Sequence, residues 1–138
     1  PAQVPASASY LSHVALECAM KAHFLSRGGF ASAEELKEKQ PKIYEALFKG
    51  KKGHDLSKLS DDLRIEEVMR LAGKPWTEDE IWKRMASGNR PYSLRYGTER
   101  VDTARVKEEL DRASEIISVL FSGIRSVPLT GPRRRKVR

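Results

Sequence analysis

Cysteine occurs once in these 138 residues, at Cys18, so no internal disulfide can brace the chain. A single thiol fits a reducing compartment, and a cytosolic protein is expected. Its place on an apolar stripe marks Cys18 as a small buried hydrophobe. Aromatic residues are scarce, at 7%, and they do not interleave with a basic stripe as in single-strand binders, one loop excepted. No apolar run approaches the roughly 18–20 residues of a membrane span, so no membrane role is expected. The opening PAQVPASAS lacks the charged start and apolar middle of a secretion signal. Neither a glycine-rich phosphate loop nor a dinucleotide fingerprint occurs. His13, His23 and His54 have no pair at metal-ligand spacing, and one cysteine cannot complete a zinc site. No cofactor or metal is expected. Alternating strand patterns, internal repeats and sustained heptads are also missing.

Charge is plentiful but local. The formal charge is +7, and five of the basic groups sit between Arg133 and Arg138 with no acid among them, which leaves about +2 on the rest. An ordinary surface on the body and a basic tail at 128–138 follow, the tail able to bind polyanions weakly or simply to aid solubility. Residues 1–127 suit one domain, long enough to bury a core.

The organising stretch is Ser9 to Leu25. Leu11, Val14/Ala15, Cys18, Ala22 and Leu25 recur at three-four spacing, and Leu16, Met20 and Phe24 widen the stripe toward several neighbours. His13, Glu17 and Lys21 follow one another at four-residue steps along the same helix. Glu before Lys is the favourable order, worth about 0.2–0.5 kcal/mol when exposed and far more when buried. This helix is expected over about 6–27, framed by Pro1 and Pro5 and stopped by Gly28-Gly29.

Ser32 with Glu35 forms a capping box for a second helical stretch that Pro41 divides near Gln40. Its second half, with Ile43, Ala46 and Leu47 on one side, should end at Gly50. Lys49 to Gly53 reads as a mobile connector. Asp55 can cap the next helix, carrying Leu56, Leu59, Leu63, Val68 and Leu71, with a phase slip near Asp61-Asp62 that suggests two shorter helices. Thr77 to Glu80 is another capping box, with Trp76 before it as a staple and Ile81, Trp82 and Met85 facing inward. Ser87 to Gly97, SGNRPYSLRYG, is rich in turn formers and reads as a loop, yet its arginines and tyrosines are unusual for a linker. A last helix from Thr98 or Arg100 to Arg125 carries a seam of Val101, Ala104, Leu110, Ala113, Ile117, Leu120/Phe121 and Ile124. The fold expected is all-α, an up-and-down bundle of four to five helices with the long first and last helices antiparallel.

Three segments in order, SHVALECAMKA, GHDLSKLSDDL and SLRYG before a long final helix, resemble the HEPN domain family over about residues 9–125. The resemblance implies a compact helical bundle and a homodimer. It implies either a metal-independent endoribonuclease with an Arg-x4-6-His motif, or a helical domain that binds nucleotides or substrates and accompanies a nucleotidyltransferase or a toxin-antitoxin system. No arginine here precedes a histidine at that distance. A non-catalytic module binding a nucleotide, an RNA phosphate or a protein partner is therefore expected, with a diverged endoribonuclease using Arg95 and His54 as the alternative. The residues carried over are Glu17 and Lys21 on the first helix, His54 and Asp55 at the second motif, and Arg95 with Tyr96 in the loop. Arg95 could pair with Glu17 or Asp55 or grip a phosphate. Tyr96 could stack on a base or pack in the core. His54 stands beside helix-start amides that favour an anion, and Lys49, Lys51 and Lys52 make its surroundings positive. All six could equally form a polar network fastening loop to bundle.

Overall fold

A computed structural model describes residues 3–49, 51–74, 76, 78–88, 90–97 and 99–122. Pro1, Gly50, Thr77 and the basic tail lie outside them. Every element among the described residues is helical, as expected of an all-α bundle: α1 Gln3–Gly28, α2 Ala33–Lys39, α3 Pro41–Phe48, a 3-10 turn Lys51–His54, α4 Leu56–Asp62, α5 Ile65–Leu71, α6 Glu80–Met85, α7 Tyr92–Arg95 and α8 Thr103–Leu120.

Local chemistry explains most boundaries. Pro5 falls inside the first turn of α1, where its missing N–H removes no helical bond, so the helix starts earlier than about Ala6. Gly29, at φ 80°, closes α1 while Phe30 N–H donates to Leu25 O at 2.9 Å. Ser32 Oγ accepts from Glu35 N–H at 3.1 Å and Glu35 Oε1 takes the Ala31 N–H at 2.6 Å, a capping box opening α2. Pro41 sits in the first turn of α3, which is why the stretch divides at Gln40. Asp55 caps α4 and Asp79, rather than Thr77, caps α6. The slip near Asp61-Asp62 is the α4–α5 break, where Arg64 takes a left-handed φ of 54°. Instead of a mobile connector, Lys51–His54 forms a 3-10 turn held tight at Gly53. A Cβ on Gly53 would come within 3.1 Å of the Phe48 carbonyl carbon. The expected loop contains α7, a single helical turn.

α1 and α8 form the main packing of the bundle, but they run in the same direction. Ala6 near the start of α1 packs with Val101 and Val106 at the start of α8, while His23 near the end of α1 lies at the Leu120 carbonyl at the end of α8. The antiparallel expectation follows from their similar lengths, and length sets no direction when all the other helices stand between them in the chain. Leu16, Met20 and Phe24 of α1 enter one core with Ile116 and Leu120 of α8, Leu56, Leu59 and Leu63 of α4, and Trp82 and Met85 of α6. Trp76 meets Trp82 edge-on at 4.8 Å, as suits a residue placed before that helix.

Two apolar stripes are turned from their expected directions. Leu11, Ala15, Cys18 and Ala22 face solvent, Leu11 at 65% exposure, so Cys18 is not a buried hydrophobe. On α8 the buried line is Glu109, Ala113, Ile116, Val119 and Leu120, while Ala104, Leu110 and Phe121 are exposed. A glutamate occupies the inward position expected of Leu110 because two arginines meet it there.

Candidate functional site

Glu17 is the hub of the cluster that the sequence singled out. Placed by α1 and nearly buried, it accepts from Lys21 Nζ at 2.7 Å, one turn further along the helix. The 3-10 turn brings His54 to the same carboxylate, with Nδ1 at 3.0 Å from both oxygens. A neighbouring bond holds that turn down: His13 Nε2 donates to the His54 carbonyl at 3.2 Å. Burial pushes His13 below its ordinary 6.5, against the opposing pull of that bond and of Glu17, so the neutral ring that donates from one nitrogen is favoured. Among the described residues, the buried His13 Nδ1 has no hydrogen-bond partner.

Around this hub the walls are aromatic. Lys21 Nζ stands 5.1 Å from the Phe48 ring centroid, a cation–π distance, and the Tyr92 ring meets His54 edge-on at 6.3 Å. His54 keeps 45% of its side chain exposed. With Nδ1 turned to Glu17, Nε2 is the nitrogen left for a ligand. Side chains from two distant parts of the backbone thus meet, whereas a meeting of three, with Arg95 among them, is expected from the sequence.

The other three residues do not join them. Asp55 Oδ1 accepts the Lys58 N–H at 3.1 Å, so its carboxylate fills the α4 helix start where an anion was expected. Arg95 is exposed and lies over Tyr96, its guanidinium carbon 5.6 Å from the ring centroid. Among the described residues no carboxylate binds Arg95, neither Glu17 nor Asp55. Tyr96 is 67% exposed and is no core aromatic. Together they edge a groove of about 280 Å³ against Ala6 and Ser7 of α1. Because Arg95 stands one turn after Tyr92 on α7, this ledge and the Glu17 hub are joined through that short helix.

The sequence reading missed the stronger ionic feature. Arg90, in the same arginine-tyrosine segment, is buried and takes Glu109 and Glu99 at once. Nη1 lies 2.9 Å from Glu109 Oε1, Nη2 3.1 Å from Glu109 Oε2, and Nε 3.1 Å from each Glu99 oxygen, with Nη2 also on Glu99. Arg84 Nε adds a 2.7 Å bond to Glu109 and Nη2 a 2.9 Å bond to Glu108, and Ser93 Oγ donates to Glu99 at 2.7 Å. Burial opposes charge on Arg90, yet its bonds to Glu99 and Glu109 outweigh that and raise its pKa; burial likewise opposes charge on Glu109, and the two arginines hold it down. Two carboxylates on one arginine neutralise rather than attract an anion, so this network fastens α7 and α8 together. An acid nine residues after Arg90 gave one signal of it, but Glu109 on an apolar seam gave none.

Among the described residues no group of three His, Cys, Asp or Glu side chains could hold a metal ion, and no helix is long and apolar enough to cross a membrane. Comparison with known proteins finds no matching family model, no similar curated protein and no similar solved structure.

Proposed function

We propose that this chain is a HEPN-like, non-catalytic helical module that binds a phosphate group of a nucleotide or RNA at Lys21 and His54. The observation that carries the reading is the Glu17 hub, which gathers a lysine and a half-exposed histidine at one place. A protonated imidazole donates from both nitrogens, one to Glu17 and the other to a phosphate oxygen, and Lys21 supplies a second charged donor. Exposed Arg95 and Tyr96 lie along α7 from that point and suit a base or a second phosphate. Homodimer formation and partnership with a nucleotidyltransferase or antitoxin belong to the same reading, and a protein partner in place of the nucleotide is its variant.

Fluorescence polarisation with labelled RNA and a nucleotide panel tests it. Binding that weakens in Lys21→Ala and His54→Ala supports the reading; flat titrations for every phosphate ligand overturn it. One observation favours a second reading, a diverged endoribonuclease. The Glu17–His54 bond orients the ring as in a general base, with Nε2 free to take a proton from a 2′-hydroxyl. Cleavage of mixed RNA by pure protein, lost in His54→Ala, would replace the binding module with the enzyme.

A further inference from the structure

The phosphate reading gives His13 no task, yet this ring is only 2% exposed and meets the His54 carbonyl at 3.2 Å through Nε2. Burial favours its neutral form, and Arg90 is among the charges that face it. Its Nδ1 has no partner among the described residues, so the ring's proton sits on Nε2, where the carbonyl accepts it. A leucine would fill the same space without burying a polar ring.

Residue 54 is thereby held by α1 at two points. His13 takes its carbonyl, and Glu17, four residues and about 6 Å further along the same helix, takes its ring. Of the two imidazole nitrogens, Nδ1 is nearer the main chain and Nε2 farther from it. Nδ1 reaches the Glu17 carboxylate only while the main chain of residue 54 lies close against α1. From a more distant main chain Nε2 would reach it instead. The Tyr92 ring, edge-on to His54 at 6.3 Å, limits movement on another side.

We infer that His13 is the positioning residue of the phosphate site: by holding the His54 main chain against α1, it decides that Glu17 takes Nδ1 and that a ligand meets Nε2. The identity of the ligand rests on the phosphate reading, but the state of the ring does not. Beside a carboxylate, a neutral imidazole keeps its proton on the nitrogen that faces the acceptor. His54 in its neutral form therefore carries Nδ1–H and a bare Nε2, the opposite of the tautomer that a free histidine side chain prefers. That contrast makes the effect of His13 visible without any ligand.

Nitrogen-15 NMR of the histidine rings at pH 8.5, on the ligand-free protein and on His13→Leu and His13→Gln, is the experiment. The His54 signals are identified by their loss in His54→Ala. Leucine fills the space without a donor, glutamine keeps one for the His54 carbonyl, and circular dichroism verifies that both variants fold. Wild type and His13→Gln should show the His54 proton on Nδ1, and His13→Leu should show it on Nε2. Affinity for a labelled hexauridylate, read by fluorescence polarisation, should fall about tenfold in His13→Leu and return to within a few-fold of wild type in His13→Gln. A wild-type His54 with its neutral proton on Nε2 overturns the inference before any variant is made. So does a His13→Leu protein that keeps the Nδ1–H tautomer, or one that binds the hexauridylate as tightly as wild type does. Flat titrations for every protein, beside the expected change of tautomer, overturn the phosphate reading and leave the hold of His13 on His54 standing.

Discussion

Arg90 and Glu109 meet side-on, through bonds of 2.9 and 3.1 Å, with each side chain only 1% exposed. Removing one partner leaves the other charge buried with a single counter-charge, Arg84 for Glu109 and Glu99 for Arg90, so the cost falls at the low end, about 3 kcal/mol, of that typical for a broken buried pair. Arg90→Ala and Glu109→Ala should each lower unfolding free energy by about that amount in urea titrations. The double variant Arg90→Met with Glu109→Leu should lose less than the two single losses together, because no unpaired charge between these two remains. Strict additivity would show that the pair does not act as a unit.

Acid should weaken the fold before it touches most carboxylates. Burial holds His13 below 6.5, and burial with Arg27 nearby does the same for His23, so the unfolded chain takes up protons more readily at both. Their contribution to stability is complete above about pH 6.5 and declines as pH falls below that value, by up to about 1.4 kcal/mol per pH unit for each group. Denaturation midpoints measured between pH 7.5 and 5 should trace that decline. A His13→Gln variant, which keeps a donor for the His54 carbonyl, should flatten it.

The start of α6 is held by one carboxylate with two tasks. Asp79 Oδ1 caps the helix at the Trp82 N–H, 3.0 Å away, and both oxygens take Arg112 of α8 at 3.1 and 2.6 Å. The Arg112 bond pulls Asp79 down to about 2, so its share of stability is present above the ordinary 3.8 and is lost only as pH falls toward 2. Asp79→Ala should cost about 0.5–2 kcal/mol as a lost cap. Because Trp82 follows directly, a changed tryptophan emission maximum should accompany it.

Substitutions at the site should separate the hub from the ledge. Lys21→Ala removes a charge-assisted donor worth about 1.5–3 kcal/mol, so phosphate affinity should fall about 10- to 100-fold. Asp55→Asn keeps a capping oxygen and lies off the hub, so it should leave binding within a few-fold. Calorimetric titration of each variant with the same nucleotide measures both. A loss at Asp55 equal to that at Lys21 would contradict this division of roles.

Much of this was legible residue by residue. Glu17 and Lys21 share a helix face through a four-residue step, so their pairing needed only helical geometry. His54 is placed by resemblance, and it reaches Glu17 from a 3-10 turn that packs closely at Gly53. Arg95 and Arg90 looked alike in one short segment, and the wrong one was favoured for a carboxylate. Which arginine turns inward depends on the direction in which α7 leaves the loop, and no local preference encodes that direction.

What the chain dictates by itself is where helices begin and end: Ser32, Asp55, Asp79 and Asp102 cap, Pro41 divides, and Gly29 stops, each through bonds formed within a few residues. Tertiary packing decided which face of each helix turns inward and the shared direction of α1 and α8. Periodicity reports that an apolar stripe exists but not what covers it, so Leu11 and Cys18 could point outward. Charge can also win an interior position once partners from other helices satisfy it, as Arg90 and Arg84 do for Glu109.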